Sequence, residues 1–126
     1  MAASIDKTLH ELGSGIYAYT QLPGSWGWSN SGLIVDGDQT LLVDTLFDLN
    51  ITREMLDSMR RAVPAAKRID TVVNTHGNGD HCYGNALLAS SEIIGTQGCV
   101  EDLAESPPSQ INLLLRAGRI VDSLGA

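Results

Sequence analysis

The chain is short of positive charge. Eight Lys and Arg stand against fifteen Asp and Glu, a net charge of −7. The densest basic run is Arg60-Arg61 followed by Lys67-Arg68. That balance argues against nucleic acid or an anionic membrane as a partner. No apolar run approaches the length needed to span a bilayer. The opening residues, Met1 to Lys7, lack the apolar core of a secretory signal, so a cytoplasmic protein is expected. Cysteine is scarce too. Cys82 and Cys99 are the two present and have no paired spacing, so a disulfide is not indicated and Cys82 is expected as a buried free thiol. Internal repeats, low-complexity tracts and linkers are all missing. What remains is an ordinary globular balance, 43% apolar and 18% charged, over 126 residues. One domain burying about two thirds of its unfolded surface fits that length.

The apolar pattern sets out the elements. Leu9–Leu12 and Ile16–Tyr19 flank Gly13-Ser14-Gly15 and read as a β-hairpin. His10 is a lone surface histidine on the first strand. Pro23 to Asn30 holds Trp26 and Trp28 between glycines. It reads either as a hydrophobic lid on the domain edge or as an aromatic flap over a pocket. Gly32–Val35 and Thr40–Asp44 form a second hairpin around Asp36-Gly37-Asp38-Gln39. Both strands are almost continuously apolar, so a sheet covered on both faces is expected. Asn50 is the expected N-cap of a helix over 51–63, with Ile51, Met55, Leu56, Met59, Ala62 and Val63 on its buried face and Pro64 stopping it. A strand over 69–74 follows, then a helix from Cys82 to Ala89, a strand over 92–96, and a helix over 98–104. Pro107-Pro108 marks a break. The last amphipathic helix, 110–124, carries Ile111, Leu114, Leu115, Gly118 and Val121 on one side.

The chemistry concentrates in Thr75-His76-Gly77-Asn78-Gly79-Asp80-His81. Two of the three histidines and an aspartate fall within six residues, on a loop at the carboxyl end of a strand, where α/β sheets place their ligand sites. A solvated polar loop is the plain alternative. His-x-x-x-Asp-His between glycines after a buried strand points instead to a metal site, with donors suited to zinc, iron or manganese. Gly77 and Gly79 are expected to let the donors converge, because glycine permits positive φ and close backbone approach. Asp44 closes a buried strand and needs donors or a cation there.

Thr-His-x-x-x-Asp-His-x-x-Gly-Asn, ending in Gly84-Asn85, resembles the signature of the metallo-β-lactamase superfamily, whose usual form is His-x-His-x-Asp-His. Asn78 stands at the second His. The order of elements is similar to the first half of that family's αββα sandwich, a mixed sheet flanked by helices, over roughly residues 8–104 of a single partial domain. The resemblance implies His76, Asp80 and His81 as metal ligands, His76 serving one ion and Asp80 with His81 another. It implies Asp80 as the catalytic group orienting a metal-acidified water, Asp44 as support beneath the ligands, and Trp26, Trp28 and Asn78 as pocket residues.

The activity it implies is a metal-dependent hydrolase cleaving an ester, thioester, amide or phosphoester of a small molecule. Zinc is the expected ion, with iron or manganese as alternatives, one or two ions in a complete domain. Family members are close to twice this length, and their second half brings further ligands. No histidine follows His81 here, so weak metal binding by the chain alone is expected. Half a sandwich leaves an apolar face and an edge bare. Association with a second copy or a complementary C-terminal half is therefore expected. The alternative is a truncated or non-catalytic half-domain acting as an interaction module.

Overall fold

The computed structural model describes residues 6–124. Strands β1 (Asp6–Gly13), β2 (Ile16–Leu22), β3 (Ser31–Asp36), β4 (Gln39–Val43), β5 (Thr71–Val73) and β6 (Glu92–Ile94) form one sheet in sequence order. β1 to β4 run antiparallel, while β4, β5 and β6 are parallel. Two hairpins therefore precede a parallel portion whose crossover carries helix α1 (Leu49–Ala62). The result is a mixed α/β sheet.

Cross-strand register explains the core. Tyr17 pairs with Leu33, Leu33 with Leu42, and Leu42 with Val72. This row points to one face, where Leu33, Leu42 and Val72 are fully buried. Met55, Leu56 and Met59 of α1 are buried in the same cluster. The next row, Ile16, Ile34, Leu41 and Thr71, points the other way. There the expected cover is missing among the described residues. Ile16, Ile34 and Ile94 are 45%, 42% and 45% exposed. Continuous apolar strands do imply two buried faces, but α1 can shield only one.

Helix α1 starts earlier than its apolar pattern suggests. Asp48, not Asn50, is the N-cap, accepting from the Asn50 and Ile51 amides at 2.7 and 2.9 Å. Asn50 instead lies inside the first turn. Ala62 is exposed, while Thr52, absent from the expected face, is fully buried. Its hydroxyl oxygen accepts from the Leu46 amide at 3.2 Å, so a polar residue occupies an apolar stripe. Val63 adopts φ −128°, ψ 104°, the extended backbone a following proline imposes, and Pro64 opens a 3₁₀ turn to Lys67.

The remaining strands are shorter than their sequence patterns, three residues each at β5 and β6. The helix expected over 82–89 is split into one α-turn, α2 (Gly79–Cys82), and a 3₁₀ segment, Tyr83–Leu88. Gly84 lies in the 3₁₀ segment, tight against α1. A Cβ there would collide with the Thr52 side chain of α1. Helices α3 (Gln97–Glu105) and α4 (Pro108–Leu124) close the chain. Ile111 is half-buried, whereas Leu114 and Leu115 are exposed. The burial of Gly118 and Val121 lies outside the described residues.

Asp70 ties β4 to the approach to β5. Its carboxylate accepts from the Thr40 amide at 3.0 Å and meets Arg68 at 2.6 Å. The Thr40 hydrogen bonds, backbone first, and the Arg68 charge outweigh partial desolvation and hold the carboxyl below its usual range. A carboxylate depressed in the folded state stabilises the fold above its unfolded value and loses that contribution as pH falls through the folded one.

The fold yields two predictions. Urea unfolding of Asp70→Asn is expected to show a flatter stability profile below about pH 4 than the parent. An identical slope would contradict the clamp. Asp48→Ala is expected to cost about 1 kcal/mol in the same experiment, and Asn50→Ala much less.

Candidate metal centre

β4 and β5 are adjacent and parallel, so the residues following them emerge side by side at one sheet edge. Asp44 follows β4, and Asn74-Thr75-His76 follows β5. The Asp44 amide donates to the Val73 carbonyl at 2.9 Å and the Asn74 amide to Ile94 at 2.8 Å, extending the ladder to the edge. Asp44 has φ +64°. That left-handed backbone costs an ordinary residue roughly 1–2 kcal/mol, less for aspartate. It turns the side chain under the following loop.

The Asp44 carboxylate, only 4% exposed, accepts three hydrogen bonds. They come from the Thr75 amide at 2.8 Å, the Thr75 hydroxyl at 2.7 Å and His81 Nδ1 at 2.9 Å. Proton counting then fixes both imidazoles. A carboxylate only accepts, so His81 Nδ1 carries hydrogen and neutral His81 keeps its lone pair on Nε2. The Thr75 hydroxyl has given its one proton to Asp44. Toward His76 Nδ1, 2.9 Å away, it can only accept. Neutral His76 is therefore also protonated on Nδ1, with Nε2 bare. One buried carboxylate sets two imidazole tautomers, one directly and one through a hydroxyl.

His81 Nε2 lies 3.4 Å from Asp80 Oδ2, and the His76 and His81 ring centres are 4.2 Å apart. Asp80 and His81 thus converge from the single helical turn α2, where a loop was expected. Gly77 and Gly79 do not use positive φ. Their need is close approach. A Cβ on Gly77 would collide with Asp102 Cβ, and one on Gly79 with the Tyr83 ring.

The His81 carbonyl accepts from the Thr45 amide at 2.9 Å and from Asn74 Nδ2 at 3.0 Å. Asn85 joins them, accepting from Thr45 Oγ1 at 3.0 Å and donating to Asn74 Oδ1 at 2.7 Å. The Ser29 hydroxyl donates to the Asp80 carbonyl. Thr45, Asn74 and Ser29 carry no motif spacing, so sequence reasoning misses them as supports. The one available signal is polarity next to buried strand ends. Cys82 donates to the His76 carbonyl at 3.0 Å. Burial, then the neighbouring Cys99 thiol, pushes its pKa well up, so it stays a neutral thiol. Both cysteines are free, and His10 is exposed on β1 against Thr20.

A cleft of about 500 Å³ opens beside the turn, lined by Trp26, Phe47, Asn78, Asp80 and Tyr83 among others. Trp28 is half-buried and does not line it. Trp26 meets Phe47 edge-on at 5.2 Å, and Phe47 meets Tyr83 at 5.7 Å. Phe47 and Tyr83 were not legible as cleft residues, because each sits singly in its segment.

The donor chemistry suits a divalent ion, with two bare Nε2 atoms and a carboxylate. The number does not complete a centre. Among the described residues no three His, Cys, Asp or Glu side chains gather closely enough to hold one ion. Asp44→Asn retains the backbone preference but offers a single accepting oxygen to three donors. It is expected to weaken zinc binding about 10–100-fold, read by dye competition, while circular dichroism stays unchanged. Unaltered affinity would detach Asp44 from the site.

Residues 24–121 match the sequence pattern of the metallo-beta-lactamase superfamily. No curated protein sequence matches the chain. Solved structures do. The metallo-beta-lactamase from Pontibacter korlensis superposes with TM-score 0.69 at 16% identity, over 80% of this chain and 48% of that one. The enzyme from Hirschia baltica gives 0.64 at 24%, over 79% and 48%. FIM-1 from Pseudomonas aeruginosa, in its mono-zinc form, gives 0.54 at 25%, over 71% and 40%. The chain spans less than half the length of these structures, and its sheet corresponds to one half of their fold. By its matched residues and its architecture, the chain belongs to the metallo-β-lactamase superfamily.

Proposed function

We propose that the chain carries the metal-gripping half of a metal-dependent hydrolase. The observation behind this reading is the Asp44–His81–Asp80 arrangement, an imidazole held by a buried carboxylate with Nε2 turned to a second carboxylate. Asp80 and His81 would hold one ion, and His76 Nε2 would serve a neighbouring position. Zinc is the preferred ion by family, with iron or manganese the alternatives. A bound ion supplies Lewis acidity for cleaving an ester, thioester, amide or phosphoester.

The chain's own residues do the rest. Asp44 and Thr75 orient the imidazoles. Asp80 lines the cleft and would hold a proton of the attacking water. Asn78 and Trp26 border the space for a small-molecule substrate.

The missing donors come from another polypeptide segment, either a complementary half or a second copy. The bare apolar face ending at this loop supports that association, because Val43 and Val73 lie on it directly before Asp44 and Asn74. An amide at position 78 and a donor set short of three favour an incomplete site over a free-standing catalyst.

Zinc titration of the purified chain, with its oligomeric mass, tests the proposal. Binding weakened on the order of a hundredfold by His81→Ala is expected. Zinc binding indifferent to both His81→Ala and Asp80→Ala would overturn it.

A further inference from the structure

The cleft beside α2 has two kinds of wall. One is aromatic. Trp26, Phe47 and Tyr83 form a run of three rings, and Trp26 is 77% exposed at its open end. The other is acidic. Asp102 and Glu105 of α3 line it together with Asp80, and no Lys or Arg does. Asp80 belongs to the metal donors, which leaves Asp102 and Glu105 with no ionic partner among the described residues.

This juxtaposition is built into the packing. Gly77 lets α3 rest on the metal loop, bringing the Asp102 side chain against it. The Tyr83 hydroxyl donates to the Ser106 carbonyl at 2.8 Å, anchoring the end of α3 across from the rings. Phe47 packs beside Gly27, whose φ of +73° is the left-handed conformation glycine favours, next to Trp26. The rings and carboxylates therefore face one space of about 500 Å³, a size suited to a small organic molecule.

We propose that this cleft selects an organic cation with an apolar face, such as an alkyl- or arylammonium, over neutral and anionic molecules of the same size. Ring faces attract a cation through their quadrupole, and the carboxylates add a field of the same preference. An anion would meet the carboxylates with no positive side chain to offset them. This rests on reading the cleft as the pocket of the metal centre, and it names the charge of the substrate that centre would act upon.

Calorimetry on the full chain tests it with three probes: benzyltrimethylammonium, benzyl alcohol and phenylacetate. The ammonium is expected to bind roughly tenfold more tightly than either of the others, with the margin shrinking as salt is raised. In the double variant Asp102→Asn, Glu105→Gln that margin is expected to fall to about twofold. Trp26→Ala is expected to weaken the ammonium several-fold without altering circular dichroism. Equal affinity for the three probes, a preference for phenylacetate, no measurable ammonium binding, or an undiminished margin in the double variant would each overturn the proposal. The probes need no metal. Loss of zinc binding with cation preference intact would defeat the hydrolase reading alone, and the reverse result would defeat this one alone.

Discussion

The carboxylate of Asp44 is the point on which the site depends. It is buried, sits in a left-handed backbone conformation at the end of β4, and accepts three hydrogen bonds. Such a group would be costly to bury without donors. Here the donors are the loop that carries the metal-ligand candidates. Satisfying Asp44 and shaping the loop are thus one event. The carboxylate orders Thr75 and His81, and Thr75 in turn orders His76. Asp44 reaches these donors because β4 and β5 are parallel neighbours, so their carboxyl ends leave the sheet side by side.

A second constraint is steric. The loop is compressed from two sides, by α3 at Gly77 and by the Tyr83 ring at Gly79. Neither neighbour leaves room for a Cβ. Asp80 and His81 share the helical turn α2 there, and the close packing at Gly77 sets the acidic end of α3 opposite the aromatic run. The candidate metal donors and the cleft walls therefore belong to one packing arrangement. The apolar face behind the loop is the unsatisfied part of that arrangement, and it lies next to the donors that fall short in number.

Much of this was legible in the sequence. Glycine-containing turns between apolar strands marked both hairpins, and Thr75 to His81 marked the loop. Periodicity failed where tertiary contacts overrode it. Thr52 interrupts an apolar stripe because its hydroxyl serves the Leu46 amide, and the expected 82–89 helix is a 3₁₀ segment where Gly84 passes close to α1. Asp48 was obscured as a cap by a second good capping residue two positions later. The expectation of two covered faces followed from strand composition, which reports what a strand can bury and not what lies over it. Thr45 and Phe47, Asn74, and Asp102 meet the site only through folding, from three separate segments, and no local spacing announces them.

The central claim is that Asp44 fixes both imidazoles with bare Nε2 atoms before any ion arrives. Nitrogen-15 NMR of the metal-free chain, at a pH where both rings are neutral, reads the tautomers directly. The account predicts His76 and His81 both protonated on Nδ1, with His81 Nε2 shifting first as zinc is added. A proton resting on Nε2 of His81 would contradict it, since that ring would then be donating away from Asp44 and have no lone pair facing Asp80.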